Sequence, residues 1–331
     1  MAKNPHRTAP TARLSDAELP PLDPDSPPWP GHTVAVGGVD VYVTHAAATV
    51  EGAEPALLVH GLGGSTNNWT DLTGQLRSRL DVEAIDLPGH GRSGPAPDGD
   101  YSQRALARTV IGYLEHSREQ SGRGPVHLIG NSMGGAVSLR VASSRPDLVR
   151  TLTLISPAVP DVRRLRAHPL KHDPRMALLV VPGIGGMALR RLGRAAVEAR
   201  VKATIALCLA DPHRYPATRL EQDIAEARER MRMPWANEAM LRSMRGLARV
   251  QFLQARATWD AMRAITAPSL VLWGDTDRLV APDLAGFVAA AIPDSRQLVL
   301  EHIGHTAMME DPVTTARAIF GLIEDSVPAR N

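Results

Sequence analysis

A serine flanked by glycines lies where an apolar run meets a helical pattern. The segment 130–135 reads GNSMGG, with Ser132 at the centre of a Gly-x-Ser-x-Gly sequence. Ser132 directly follows the apolar run Val126–Asn131 and precedes a helical pattern that begins at residue 133. In a tight strand-to-helix turn the serine hydroxyl is exposed for attack, and the glycines let strand and helix approach closely. The pattern therefore predicts that Ser132 is a nucleophile.

A second glycine-rich segment follows the apolar run that begins at Ala56. Residues 60–65 read HGLGGS, and glycines leave the backbone free to direct amide N–H groups at a developing oxyanion. The other donor in such a site is the amide of the residue after the nucleophile. We predict that the amides of Leu62 and Met133 form the oxyanion hole. His60 is expected to be structural and to hold this loop in place.

A serine hydroxyl needs a general base, and the base needs a carboxylate that orients it. In the chain order expected for a site of this kind, the acid and then the histidine follow the serine. Asp275 and Asp277 come after one apolar run, and His302 and His305 come after the next. Both pairs lie at the carboxyl ends of predicted strands, where catalytic groups gather in open α/β sheets. The spacing alone leaves open which member of each pair is catalytic.

Short apolar runs alternate with helical segments along most of the chain, which predicts an α/β fold. Runs rich in Leu and β-branched residues are typical of strands buried in a parallel sheet, and their alternation with helices indicates βαβ units. A glycine turn at residues 37–38 predicts a hairpin ahead of them. The predicted strands are Ala56–His60, Val82–Asp86, Val126–Asn131, Thr151–Ser156, Ser269–Gly274 and Gln297–His302, with helices near 67–80, 101–120, 133–145, 282–291 and 312–325.

The alternation stops between residues 157 and 263, where the patterns are helical only, for example over Ala195–Leu209, Thr218–Met231 and Asn237–Ala257. We predict a helical cap over residues 157–263, inserted into an α/β core of residues 31–156 and 264–331. The cap holds 18 Arg and 2 Lys against 10 acidic residues, which is typical of a solvated helix surface or of one that attracts an anionic substrate or membrane. Its methionines predict a helical core or an adaptable apolar pocket: Met176, Met187, Met231, Met233, Met240, Met244 and Met262.

Composition excludes several classes of protein. The chain has 331 residues, a formal net charge of +2 and one cysteine, Cys208. A nearly neutral chain gives no indication of a nucleic-acid partner, and one cysteine excludes an internal disulfide or a cysteine-based metal cage. Residues 1–30 contain eight prolines and no secretory signal pattern, so we expect a disordered or extended leader and a cytoplasmic protein. The run Met176–Leu189 is too short for stable membrane insertion.

From about residue 32 to 325 the chain resembles the α/β-hydrolase fold family. The resemblance rests on GNSMGG, HGLGGS and the segment DLPGHGRS at residues 86–93. The family's Gly-x-x-Asp pattern falls on Gly274–Asp277 and its Gly-His pair on Gly304–His305, which implies a triad of Ser132, Asp277 and His305. It also implies a mostly parallel central sheet flanked by helices, with an inserted helical cap and no metal or cofactor.

These residues predict hydrolysis of a small-molecule carboxylic ester with an apolar acyl group, through an acyl-enzyme. The GNSMGG turn is also similar to that of carbon–carbon bond hydrolases of aromatic ring-cleavage products, which usually carry Trp where Thr306 stands here. Thioester cleavage, a cofactor-free perhydrolase and a non-catalytic ligand-binding protein are further alternatives. A serine nucleophile differs from the aspartate of the family's dehalogenases and epoxide hydrolases. The sequence does not predict the oligomeric state.

Overall fold

The computed structural model of the chain describes residues 8–161 and 196–326, which include one eight-stranded sheet. Its strand order is β1-β2-β4-β3-β5-β6-β7-β8. β1 and β2 form an antiparallel hairpin, β2 also pairs antiparallel with β4, and the remaining neighbours are parallel. The strands are β1 (Gly31–Val36), β2 (Val39–Ala46), β3 (Glu54–Val59), β4 (Leu80–Ile85), β5 (Val126–Asn131), β6 (Val149–Ile155), β7 (Ser269–Gly274) and β8 (Ser295–Leu300). The predicted mostly parallel sheet is confirmed.

Helices cover both faces of the sheet. They are α1 (Thr70–Leu76), α2 (Gln103–Ser121), α3 (Met133–Ser144), α4 (Val197–Cys208), α5 (Ala217–Met231), α6 (Ala236–Leu253), α7 (Ala255–Arg263), α8 (Leu284–Ala291), α9 (Ala307–Glu310) and α10 (Pro312–Ser326). Residues of α2, α3 and α8 belong to one apolar cluster, and residues of α1 and α10 belong to a second. Leu57 and Leu58 of β3 point into different clusters, because successive strand side chains face opposite sides of a sheet.

The strand at the sheet edge ends earlier than the sequence predicts. β8 spans Ser295–Leu300 rather than Gln297–His302. The chain turns at His302, where φ is 57° and the side chain is exposed. This left-handed residue ends the extended backbone and starts the loop that carries His305.

Between β6 and β7 the described residues 196–263, here called the insertion, are helical from α4 to α7. The helix predicted over Asn237–Ala257 is divided at Gln254, where φ is −121° and ψ is 18°. Met176, Met187 and the run Met176–Leu189 lie outside the described residues. In the part of the chain that the structure describes, no helix is both long and apolar enough to cross a bilayer.

Residues 8–30 of the predicted leader contain no helix and lie against the core. Ala12 donates its backbone N–H to Gln297 of β8 at 2.8 Å, and the Gln297 N–H donates to Pro10 at 2.9 Å. The Trp29 indole donates to the carbonyl of Thr70 at 3.0 Å. These contacts hold an extended segment along the outer side of β8 and beside α1.

Candidate active site

Ser132 lies at the turn between β5 and α3, with φ 54° and ψ −117°. A positive φ is strained for a residue with a side chain and persists where the surrounding backbone enforces it. The Ser132 N–H donates to the carbonyl of Ile155 at 3.0 Å, and its carbonyl accepts the N–H of Ala158 at 2.9 Å. The turn is therefore held by β6 and the chain after it, and the serine side chain stays partly exposed.

The start of α3 lies directly against the end of β3. A Cβ on Gly134 would collide with the carbonyl oxygens of Val59 and His60, so only glycine allows this approach. Met133 is the first residue of α3, and the first N–H groups of a helix have no partner within it. The helix N-terminus also favours negative charge beside Ser132. The Met133 amide is thus a helix N-terminal donor directly after Ser132, and its role in an oxyanion hole stays a prediction.

The loop that is predicted to supply an oxyanion donor, residues 60–65 and here called the oxyanion loop, is oriented by the buried ring of His60. The Leu87 N–H donates to His60 Nε2 at 2.9 Å, so Nδ1 carries the proton and donates to the carbonyl of Gly61 at 2.7 Å. The Gly64 N–H donates to the same carbonyl at 3.2 Å. In a trans peptide the N–H points opposite to the C=O, so the Leu62 N–H is directed away from His60. Within the described residues the Leu62 N–H donates no hydrogen bond.

Asp277 and His305 form a buried pair. Nδ1 of His305 donates to Oδ2 of Asp277 at 2.8 Å, which leaves Nε2 as the basic nitrogen of the ring. Asp277 Oδ1 accepts the N–H groups of Leu279 and Val280 at 2.8 and 3.0 Å. Burial acts to raise the pKa of Asp277. The hydrogen bond and charge of His305, together with the two backbone amides, lower the pKa by more than burial raises it, so the pKa lies below its usual value. Asp277 is thus held ionised and oriented.

The loops that carry this pair are in close contact. A Cβ on Gly274 would collide with the carbonyl oxygens of Ile303 and Gly304, so glycine is required where the two backbones meet. Asp275 and His302, the other members of the predicted pairs, are both exposed. The Gly-x-x-Asp and Gly-His patterns therefore coincide with the residues that the fold brings together.

Asn131 links the serine turn to the histidine loop, residues 301–306. Its Nδ2 donates to the carbonyl of His305 at 3.0 Å and to that of Ile155 at 3.2 Å. On the other side of the turn, a Cβ placed on Gly61 would lie 3.1 Å from Ser132 Cβ. Sequence reasoning assigned Asn131 no role, because the middle position of Gly-x-Ser is unrestricted in that pattern. Its amide side chain is the signal that could have indicated a cross-link.

Two half-buried carboxylates that the sequence analysis missed also reach these loops. Oε2 of Glu226 accepts hydrogen bonds from the Ser65 hydroxyl and from the side-chain amide of Asn67, both at 2.8 Å. Glu310 accepts the Gly304 N–H at 2.8 Å and the Ala210 N–H at 2.7 Å. Burial raises the pKa of both glutamates. Each joins the insertion to one of the two loops beside Ser132.

Other buried ionisable groups surround the oxyanion loop. Burial lowers the pKa of His60 to about 4, so its ring is neutral, as its two hydrogen bonds require. Burial, and then repulsion by Glu226, raises the pKa of Asp86 to about 7. Asp86 accepts the N–H groups of Thr66 and Arg92 at 2.7 and 2.8 Å. The loop is thus held by hydrogen bonds to buried groups whose pKa values are shifted, and not by apolar packing alone.

Comparison with known proteins supports the same fold. A family model described as the alpha/beta hydrolase fold matches residues 55–312. The dihydrolipoyllysine-residue acetyltransferase component of the acetoin cleaving system from Pseudomonas putida is 32% identical over 263 residues, 78% of this chain and 60% of that protein's length. Lipase 1 from Psychrobacter immobilis is 27% identical over 284 residues, 84% of this chain and 78% of the lipase.

A solved structure shows the same arrangement of elements. The 2-hydroxy-6-oxo-6-phenylhexa-2,4-dienoate hydrolase from Rhodococcus sp. strain RHA1 superposes with a TM-score of 0.70 and covers 89% of this chain and 98% of its own. Its identity to this chain is 19%, so the likeness concerns the fold.

Proposed function

The chain belongs to the alpha/beta hydrolase fold family, and on that premise we propose that it hydrolyses a carboxylic ester with Ser132, His305 and Asp277. The observation that carries the proposal is the Asp277–His305 hydrogen bond of 2.8 Å, formed in a loop that Asn131 attaches to the strained serine turn. A histidine oriented by a carboxylate, in a loop attached to the turn of a partly exposed serine, is an arrangement suited to activating a hydroxyl for acyl transfer.

The first half of the reaction acylates Ser132. His305 Nε2 takes the hydroxyl proton as Oγ attacks the ester carbonyl, and Asp277 stabilises the imidazolium that forms. The amides of Leu62 and Met133 donate to the oxygen that becomes negative in the tetrahedral intermediate. The intermediate then collapses, the carbon–oxygen bond to the alcohol breaks, and His305 gives its proton to the leaving alcohol.

The second half releases the acid. His305 takes a proton from water as the water attacks the acyl carbon, and the same two amides hold the second oxyanion. Collapse of this intermediate returns the proton to Ser132 Oγ and frees the carboxylic acid. Neither a metal nor an organic cofactor enters these steps.

An apolar acyl group is the substrate feature that we propose. The Met240 methyl lies over the oxyanion loop, where a Cβ on Gly63 would be 2.8 Å from it. Methionine provides an adaptable apolar surface at such a position. The likeness to a lipase supports the same class of small-molecule substrate.

The test is hydrolysis of p-nitrophenyl esters of two to sixteen carbons by the wild type and by Ser132→Ala. We expect kcat of Ser132→Ala to fall by about 10⁴-fold or more, since the nucleophile is lost, with the thermal midpoint little changed. Ser144→Ala is the matched control, because Ser144 is at the far end of the helix that follows Ser132 and its hydroxyl donates to the backbone carbonyls of Arg140 and Val141.

Undiminished turnover in Ser132→Ala would contradict the assignment. Turnover of no ester, while Ser132 still reacts with a fluorophosphonate, would contradict ester hydrolysis and favour carbon–carbon bond cleavage. A vinylogous dienone acid is then the substrate to assay.

A further inference from the structure

One face of α5 that contacts the core carries charged side chains. Arg219, Asp223, Glu226 and Arg230 recur at intervals of four, three and four residues, which places them on one face of the helix. That face lies against the core: Arg219 pairs with Asp71 at 2.5 Å, and Arg230 donates to the carbonyl of Gly89 at 3.3 Å. A helix docked through such a face has its position fixed by specific polar partners.

Glu226 is the member of this face that reaches the oxyanion loop. The Ser65 hydroxyl that donates to Glu226 also accepts the Asn67 N–H at 3.2 Å, and the Ser65 N–H donates to Asn68 Oδ1 at 3.0 Å. These bonds form a capping box at the end of the loop. Glu226 accepts hydrogen bonds from the capping hydroxyl of Ser65 and from the side-chain amide of Asn67. It therefore holds the C-terminal end of the loop from outside the core.

The surroundings of Glu226 make this contact sensitive to substitution. Burial raises its pKa, whereas Ser65, Arg230, Arg92 and Asn67 lower it. Within the described residues, Nη1 of Arg230 is buried without a hydrogen-bond partner. Burial lowers the pKa of Arg230, and the negative charges of Glu226 and Asp86 oppose this effect, so Glu226 also helps to compensate the charge of Arg230.

The other end of the loop is held by the core. His60 fixes the Gly61 carbonyl, and Glu226 fixes Ser65, so the Leu62 amide lies between one anchor from the core and one from the insertion. We propose that Glu226 is a positioning residue that sets the Leu62 amide for the oxyanion, which makes α5 part of the catalytic apparatus. The inference rests on the proposed ester hydrolysis.

Glu226→Ala removes both hydrogen bonds to the loop, whereas Glu226→Gln keeps an oxygen that can accept them. We expect kcat to fall about 10- to 100-fold in Glu226→Ala with KM changed less than about threefold, because a misplaced oxyanion donor affects the transition state and not ester binding. Glu226→Gln should restore most of kcat. Glu221→Ala, an exposed glutamate of the same helix, is the matched control and should equal the wild type.

Hydrogen exchange of the full chain gives a readout that does not need turnover. Amides of residues 61–67 should exchange faster in Glu226→Ala than in the wild type and Glu221→Ala, with the strands unchanged. Unchanged kcat together with unchanged exchange in Glu226→Ala would overturn the proposal. A loss of kcat that Glu226→Gln does not restore, with exchange raised throughout the chain, would also overturn it, since it indicates a general loss of stability.

The same experiments separate this inference from the proposed function. Wild-type esterase activity that is lost in Ser132→Ala supports the function whatever the Glu226 variants show. Conversely, wild type without esterase activity contradicts the function, and faster exchange confined to residues 61–67 in Glu226→Ala would still support the positioning contact.

Discussion

The interior of the sheet and the interface of α5 are built from opposite kinds of contact. β7 is buried along its whole length and is apolar except at its ends. In α5 only Arg219 and Ile224 are buried, and the contacts with the core are made by charged side chains. Apolar burial stabilises many arrangements, whereas buried polar groups are satisfied in few. The comparison indicates that the sheet supplies stability and that α5 supplies position.

The largest effect should come from the apolar interior. Leu72 of α1 is fully buried beneath the sheet, so Leu72→Ala should lower the free energy of unfolding by about 3–5 kcal/mol through lost burial and a cavity. Urea denaturation measures this change. Leu253→Ala, at a leucine that is 77% exposed, is the control and should change it by less than about 0.5 kcal/mol. Equal losses in the two variants would remove the basis of the comparison.

A smaller loss of stability should follow disruption of the polar interface. The Arg219 side chain is 4% exposed and Asp71 is 18% exposed, so Arg219→Met leaves a carboxylate with some access to water. We expect the free energy of unfolding, measured by urea denaturation, to fall by about 3 kcal/mol, mostly because Asp71 is left unpaired.

The double variant Arg219→Met/Asp71→Leu distinguishes position from stability. It should regain most of the stability, because apolar replacements of a buried pair are often neutral. Ester turnover should stay below that of the wild type, since α5 then lacks the partner that fixes it. Recovery of both properties would show that the ion pair has no positional role.

The smallest change in the free energy of unfolding at pH 5 is expected for Asp86→Asn. The pKa of Asp86 is raised to about 7, so in the folded protein it keeps its proton between about pH 4 and 7, where the unfolded chain has lost it. The folded state then binds more protons, and the stability of the wild type falls as pH rises through this window. Asp86→Asn should show a shallower fall. Its free energy of unfolding at pH 5 should be lower than that of the wild type by about 1–3 kcal/mol, because Asn has one acceptor oxygen for the N–H groups of Thr66 and Arg92. Parallel pH profiles would contradict this expectation.

Much of the fold and the proposed triad could be predicted from local sequence. Buried parallel strands are continuous apolar runs, so all six predicted strands correspond to strands of the sheet, within about two residues at most ends. Ser132, Asp277 and His305 follow strand ends, and the topology brings such ends together. Gly274 was informative because two loop backbones meet there.

The contacts that hold the loops could not be predicted in this way. Glu226 and Ser65 are 161 residues apart, and no local period indicates such a pair. The division of one predicted helix at Gln254 was missed because its neighbours favour helix on both sides. Helical periodicity identifies an apolar face, but α5 docks through a charged one, so the pattern resembled a solvent-exposed surface.

The extended segment along β8 bears on how the protein behaves at high concentration. A free sheet edge offers unpaired N–H and C=O groups to any other extended chain, and this is a common origin of aggregation. Here Pro10 and Ala12 occupy the hydrogen-bonding groups of Gln297 on the outer side of β8. Proline adds to this protection, because it lacks the N–H with which a further strand would pair. The same short segment therefore covers this edge of the sheet at Gln297 and discourages its extension by another molecule there.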